Sequence, residues 1–190
     1  MKPLACDLHG APVEQAGRVG LLCLDVDGVL TDGRLFLGNG GEEYKVFHTQ
    51  DGHGIKMLIA SGVKVALVTG RTSGAVRNRA AELGIAQVLQ GCKDKLAAVE
   101  ALLAEHGLDP AEAAFVGDDL VDLPAMTRVG LGVAVADSHP FVRAHAHWVT
   151  RNGGGRGAVR EVCELIMHAQ GTLEELFDLP YKGTCTWAGG

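Results

Sequence analysis

With 190 residues, 47% of them hydrophobic and 21% charged, the chain carries enough apolar material for one sizeable domain, and its length favours one over two. A net charge of −6 argues against a broad electrostatic grip on nucleic acid or anionic lipid, yet leaves room for a small anion held by a few local cations or a metal. No run reaches the ~18 apolar residues of a membrane span, and the opening "MKPLACDLHGAPVEQ" lacks an uninterrupted apolar core, so a cytoplasmic protein with no membrane partner is expected.

In chain order, residues 1–18 read as an N-terminal extension, 19–171 as the domain and 172–190 as a C-terminal tail without clear periodicity. The first strand is "LLCLDV" (21–26), which runs straight into Asp25, Asp27 and Asp32. After Gly33, "RLFLGNGGEEYKVFHTQDG" predicts a β-hairpin over about 34–48, with "GNGG" as its turn. A helix over "DGHGIKMLIASG" leads to the second strand, "VKVALVT" (63–69), ending at Thr69 and Gly70. Thr72 or Ser73 can cap the next helix, which stops at Gly84. The strand "AQVLQ" (86–90) precedes the helix "KDKLAAVEALLAEHG", which stops at Gly107. Then "AAFVG" (113–117) ends in "DDLVD", and the helix that follows stops at Gly130. Strands "GVAVA" (132–136) and "HWVT" (147–150) and the helix "GAVREVCELIMHAQG" complete the domain. Continuous apolar strands alternating with amphipathic helices predict an α/β fold with a doubly wound, Rossmann-like parallel sheet and a hairpin inserted after the first strand.

The five cysteines, Cys6, Cys23, Cys92, Cys163 and Cys185, are odd in number, scattered and without zinc-ligand spacing, which fits reduced thiols in a reducing compartment.

In an open α/β sheet, ligands bind outside the carboxyl ends of the strands, near the switch in strand order. Asp25 and Asp27 lie at such an end and, two residues apart, point to the same side. If the strand ending in Asp118, Asp119 and Asp122 is a neighbour, five carboxylates converge. Two like charges about 4 Å apart repel by roughly 4 kcal/mol at an effective dielectric of ~20. A divalent cation relieves that, and hard oxygen donors without His or Cys favour magnesium over zinc. Helix capping and turn formation account for Asp32, and can account for Asp122, but not for Asp25 in a buried strand. An EF-hand is excluded, since the twelfth position from Asp25 is Phe36. Thr69 and Gly70, before a helix start, can hold an anion, and Lys95 at the start of a later helix can add positive charge.

The order "DVDGVLTDG", "TGR", Lys95, "GDDLVD" resembles the haloacid dehalogenase superfamily of phosphotransferases over about 150 residues. The resemblance implies Asp25 as nucleophile, forming an aspartyl-phosphate, and Asp27 as general acid and base. It implies magnesium held by Asp25, the backbone carbonyl of Asp27, and Asp118. Thr69, Gly70 and Lys95 would bind the phosphoryl group, with Asp119 and Asp122 supporting the metal shell and Lys95.

Relatives in that superfamily usually carry a cap domain after the first or second motif. Here 36 residues separate Asp32 from Thr69 and 25 separate Thr69 from Lys95, all used by the elements above, so no cap is expected. Motifs across nearly the whole domain, from "FHTQDGHGIKML" through "GLGVAVADSHP" to "VTRNGGGRGAVREVCELI", look like those of the 3-deoxy-D-manno-octulosonate 8-phosphate phosphatase family. That resemblance implies a magnesium-dependent homotetramer acting on a sugar phosphate in lipopolysaccharide synthesis, with hairpins packed at the subunit interface and C-terminal segments covering neighbouring sites.

Nonulosonate 9-phosphate phosphatases share nearly the same motifs but tend to carry Glu where this chain has Arg71, a cation that suits a substrate carboxylate. Arg71 can also be a solvated residue at a helix start. The segment "NGGGRGAVRE" matches a loose dinucleotide fingerprint without the acidic residue expected ~20 positions on. A glycine nest with Arg156 and Arg160, aimed at an anion, substrate or a neighbouring subunit, fits better. His139, His145 and His147 read as surface residues, and His53, near the hairpin, as a candidate substrate contact. A signalling receiver domain, which also uses an Asp phosphoacceptor, magnesium, Thr and Lys, is disfavoured because its phosphoacceptor follows the third strand, and "AQVLQGCKDK" has no Asp at its strand's end.

Overall fold

The computed structural model describes residues 10–174. Its centre is a six-stranded, all-parallel sheet in which β1 (Leu21–Leu24), β4 (Lys64–Thr69), β5 (Gln87–Gln90), β6 (Ala113–Gly117), β7 (Leu131–Ala134) and β8 (Trp148–Val149) lie in the order β5-β4-β1-β6-β7-β8. All six expected strands are present, and the doubly wound arrangement is as expected. The sheet runs outward from β1 in both directions, so the switch in strand order falls at β1 and β6. A receiver-type order, with its first strand displaced from the centre, is not what this chain forms.

Period-two alternation divides the core. Leu22 and Leu24 face one side of the sheet, with α2 (Thr49–Ala60), α3 (Gly74–Leu83) and α7 (Ala158–Ala169). Leu21 and Cys23 face the other, with α4 (Lys95–His106), α5 (Leu123–Arg128) and α6 (Pro140–His145). Both layers are fully dry at β1, which is why that strand reads as an unbroken apolar run. Phe115, also at 0% exposure, is the largest buried side chain, and truncating it to Ala would cost about 3–5 kcal/mol.

Two short helices were not expected. Helix α1 (Val13–Gly17) lies within the segment read as an extension, yet it packs against α7: Ala16 is buried, and the Gln170 side chain donates to the Val19 carbonyl at 2.8 Å. The packed body therefore includes this part of residues 1–18. Five residues are too few for a clear helical period, and a buried Ala carries little pattern. Helix α6 starts at Pro140 after His139, whose Nδ1 accepts from the Phe141 amide, so proline and capping geometry rather than periodicity define it. Residues 1–9 and 175–190, most of the expected tail, lie outside the described residues.

The expected hairpin is present as β2 (Phe36–Leu37) and β3 (Glu43–Tyr44), a two-rung ladder closed through the Gly38 amide on the Glu42 carbonyl at 2.8 Å. No other insertion interrupts the described domain, and nothing in it forms a cap.

Candidate active site

Register sets the site. Leu24 pairs with Val116, and the Asp25 amide donates to the Val116 carbonyl at 3.1 Å, so β1 and β6 end side by side. Their next residues form a cavity of about 460 Å³ lined by Asp25, Asp27, Thr69, Gly70, Arg71, Lys95, Asp118 and Asp119, among others. Eight of the candidate residues thus line one cavity, and Asp122 joins them through Asp25, Asp118 and Lys95.

One carboxylate oxygen each from Asp25, Asp118 and Asp122 lies within 4.8 Å of the others. A single buried ammonium faces this group: Lys95 Nζ is 2.9 Å from Asp25 Oδ2 and 2.6 Å from Asp122 Oδ1. Three carboxylates against one ammonium leave uncompensated negative charge. Burial, then Asp122, push the Asp25 carboxyl up to about 6 against the opposing pull of Lys95. Burial, then Asp122, Asp25 and Asp119, push Asp118 up to about 7. Burial pulls the Lys95 ammonium down, but Asp25 and Asp122 outweigh it and hold its pKa above the ordinary value. Hard oxygens crowded to this degree fit a magnesium ion.

The three aspartates are not equivalent. Asp122, fully buried, has both oxygens committed: Oδ1 to Lys95, and Oδ2 to the backbone amides of Asp118 and Asp119 at 3.0 and 3.2 Å. It braces the loop after β6 and holds Lys95, leaving Asp25 and Asp118 as the carboxylates available to a metal. Asp119 caps the turn after β6, accepting from the Leu120 amide at 2.8 Å, while its side chain edges the cavity.

Thr69 is buried at the end of β4, where its Oγ1 accepts from the Arg71 amide at 3.4 Å. Ser73, not Thr72, sits at the N-cap of α3, yet its side chain makes no capping bond; its amide donates instead to Gln90 Oε1 at 2.6 Å. Lys95 is the first residue of α4, set in place by Asp94, whose side chain accepts from the Ala97 amide at 3.0 Å.

Asp27 is held from the hairpin. Lys45 Nζ forms an ion pair with Asp27 Oδ1, and Arg71 Nε is 3.7 Å from Asp27 Oδ2. Arg71 also pairs with Glu43 Oε2 at 2.5 Å, which with Lys45 draws the Glu43 carboxyl down to about 2. Arg71 therefore lines the cavity as half of an ion pair while its side chain stays 45% exposed. Lys45 and Glu43 were missed in the sequence. Only the structure reveals them: Tyr44 and Val46 are 64% and 66% exposed, and the side chains that alternate with them turn inward toward the aspartates.

Arg156 does not line this cavity. It is an exposed side chain whose nearest acidic partner is Asp32, at 3.9 Å. Arg160 pairs with Glu164 at 2.5 Å, and His53 opens into a separate cleft with Thr49 and Gln50. The glycines of "NGGGRG" serve close packing. A β-carbon at Gly154 would lie 1.7 Å from the Gly28 carbonyl oxygen, and the Gly155 amide donates to the Val29 carbonyl at 2.9 Å. The loop is pressed against the turn after β1, leaving no room for a pyrophosphate, and it steadies the backbone that carries Asp25 and Asp27.

Comparisons with known proteins agree with this geometry. A family model described as haloacid dehalogenase-like hydrolase matches residues 84–161. The 3-deoxy-D-manno-octulosonate 8-phosphate phosphatase of Yersinia pestis is 50% identical over 90% of this chain and 90% of its own, and that of Escherichia coli K12 is 49% identical over 91% and 90%. The crystal structure of the Yersinia pestis phosphatase has a TM-score of 0.84 at 51% identity, covering 85% of this chain and 88% of that one. The Moraxella catarrhalis phosphatase, solved with magnesium ion, phosphate ion and a KDO molecule, has a TM-score of 0.85 at 41% identity, covering 87% and 95%. With relatives half identical over nine-tenths of its length and of the same fold, this chain belongs to the 3-deoxy-D-manno-octulosonate 8-phosphate phosphatase family of haloacid dehalogenase-like hydrolases.

Proposed function

We propose that this protein hydrolyses 3-deoxy-D-manno-octulosonate 8-phosphate to the free sugar acid and inorganic phosphate, with Asp25 as the nucleophile. The observation that carries the reading is the buried Asp25 carboxylate at the centre of the sheet, 2.9 Å from Lys95 Nζ and beside Asp118, in a chain half identical to phosphatases of that substrate.

Asp25 attacks phosphorus and the bond to the sugar oxygen breaks, giving an acyl phosphate. Asp27 gives its proton to the departing alkoxide. It then takes a proton from the water that attacks the acyl phosphate, so phosphate leaves and the Asp25 carboxylate returns. Thr69 Oγ1, the Gly70 amide and Lys95 bind the phosphoryl oxygens throughout. Asp25, Asp118 and the Asp27 backbone carbonyl would hold magnesium, which when bound neutralises charge on those oxygens. Asp122 keeps Lys95 and the loop after β6 in place, and Asp119 supports the same loop. Arg71, at the cavity's edge, meets the sugar carboxylate by exchanging Glu43 for it.

An open, capless site needs closure from elsewhere, because water exclusion strengthens every electrostatic interaction in it. The hairpin exposes Leu35, Phe36, Leu37, Tyr44 and Val46, with Leu37 at 67%. A patch of that kind supports a homotetramer joined through its hairpins, and the exposure of the Arg156 side chain supports a role for it toward a neighbouring subunit. Free Cys23 and Cys163 in the core, and the absence of any described helix long and apolar enough to cross a membrane, support a cytoplasmic enzyme serving lipopolysaccharide synthesis.

The test is magnesium-dependent phosphate release from the eight-carbon 8-phosphate beside nine-carbon 9-phosphates and hexose phosphates. A kcat/KM preference for the eight-carbon acid is expected. A preference for a nine-carbon acid would keep the chemistry and overturn the substrate.

A further inference from the structure

We propose that Lys45 is a positioning residue for Asp27: the hairpin reaches back over the site so that its lysine holds one oxygen of the acid–base carboxylate and leaves the other to the reaction. This rests on the phosphatase reading above and concerns a residue that the motifs of that reading do not include.

Lys45 lies just beyond β3, among residues open to solvent, yet its side chain is 1% exposed. An amine is buried to that degree only when its charge is paired. Its Nζ contacts Asp27 Oδ1 and lies 3.0 Å from Glu43 Oε1, the latter without hydrogen-bonding alignment. Glu43 is fixed in turn by Arg71 through Oε2 at 2.5 Å. The chain Arg71–Glu43–Lys45–Asp27 therefore fixes the ammonium from two sides, and the ammonium fixes Asp27.

The second oxygen of Asp27 behaves differently. Oδ2 is buried and, among the described residues, accepts no hydrogen bond; Arg71 Nε, at 3.7 Å, is beyond hydrogen-bonding distance. A carboxylate turns about its terminal torsion with a broad, roughly two-fold preference, so an unheld Asp27 would present either oxygen. Pinning Oδ1 removes that freedom. Oδ2 is then the atom that gives a proton to the departing alkoxide and takes one from the attacking water. An unpartnered buried oxygen costs stability, and it persists where a reaction uses it.

Lys45 is not among the residues lining the cavity, so its loss should act on kcat through Asp27 rather than on binding. With magnesium and the eight-carbon substrate, Lys45→Met is expected to lower kcat about thirtyfold or more while KM changes by less than about threefold. Lys45→Arg, which keeps a charged donor, should recover most of that loss. The deciding measurement is the cycle with Asp27→Asn. If Lys45 works through Asp27, Lys45→Met should change the residual kcat of Asp27→Asn by less than about twofold. Multiplicative losses in the double variant would overturn the proposal, as would wild-type kcat in a folded Lys45→Met protein. Should Lys45→Met fail to fold, Lys45→Ala, which removes the donor without placing a bulky apolar group there, carries the test, with a kcat loss of at least about tenfold expected and wild-type kcat overturning it. The wild-type protein is assayed alongside: its inactivity on every sugar phosphate would sink the phosphatase reading and this proposal with it, whereas an active wild type with an equally active Lys45 variant sinks this proposal alone.

Discussion

Gly28 and Asp118 face each other so closely that a β-carbon on Gly28 would lie 2.1 Å from Asp118 Oδ2. Gly28 also has φ +92°, a conformation other residues adopt only under strain. The turn after β1 thus needs glycine twice over, once for its backbone and once to admit the carboxylate assigned to the metal. Gly28→Ala is expected to displace Asp118 and weaken magnesium binding about tenfold or more, read as the magnesium concentration for half-maximal activity. An unchanged magnesium requirement would count against Asp118 as a metal ligand.

Asp25→Asn removes the nucleophile while keeping its shape. Turnover is expected to fall at least about a thousandfold. The fold should survive, because Lys95 keeps its contact with Asp122 at 2.6 Å and one charge leaves a crowded group. Thermal melting beside the assay checks both halves; substantial phosphate release by a folded Asp25→Asn protein would refute the mechanism.

Burial and neighbouring carboxylates place Asp25 at about 6 and Asp118 at about 7, both above the 3.8 of an exposed Asp. A carboxyl with a raised pKa binds its proton more tightly in the folded state than in the unfolded chain. Metal-free stability from these groups is therefore greatest below about pH 4 and is lost as pH rises through 6 and 7. Magnesium binds the ionised forms, so its stabilising effect should grow over that same window. The rise in Tm on adding magnesium is expected to be larger at about pH 7.5 than at about pH 5.5. Equal shifts at both would contradict a shared carboxylate site.

Leu37 is 67% exposed on the hairpin. If hairpins join the subunits, Leu37→Glu should lower the native mass measured by light scattering and reduce activity by loosening the hairpin that positions Glu43 and Lys45. A wild-type protein that is an active monomer would remove the need for shared closure.

Much of this was legible in the sequence because the underlying rules are local. Dry parallel strands leave unbroken apolar runs, and carboxylates at the ends of such runs stand out, which located Asp25, Asp27, Asp118 and Asp122 before any coordinates. Lys95 was legible through its place at the start of a helix. Lys45 was not, because its burial depends on how far a two-rung hairpin folds back over the site, and nothing local encodes that distance. The packing of the "NGGGRG" glycines was hidden for the same reason. Gly154 and Gly155 meet the turn of Gly28, Thr31 and Asp32, more than a hundred residues away in the chain. Arg71 shows the intermediate case: its position beside Thr69 was clear, its pairing with Glu43 was not.

Asp25 bonds covalently to phosphorus in the mechanism proposed for this site. Hydrolysis of an 8-phosphorothioate ester made chiral with two oxygen isotopes, run with magnesium in water of the third isotope, tests it without requiring the intermediate to accumulate, because the released thiophosphate is itself chiral. Each in-line displacement inverts phosphorus, so attack by Asp25 followed by attack of water predicts overall retention of configuration. Inversion would mean a single displacement by water, and would contradict Asp25 as the nucleophile.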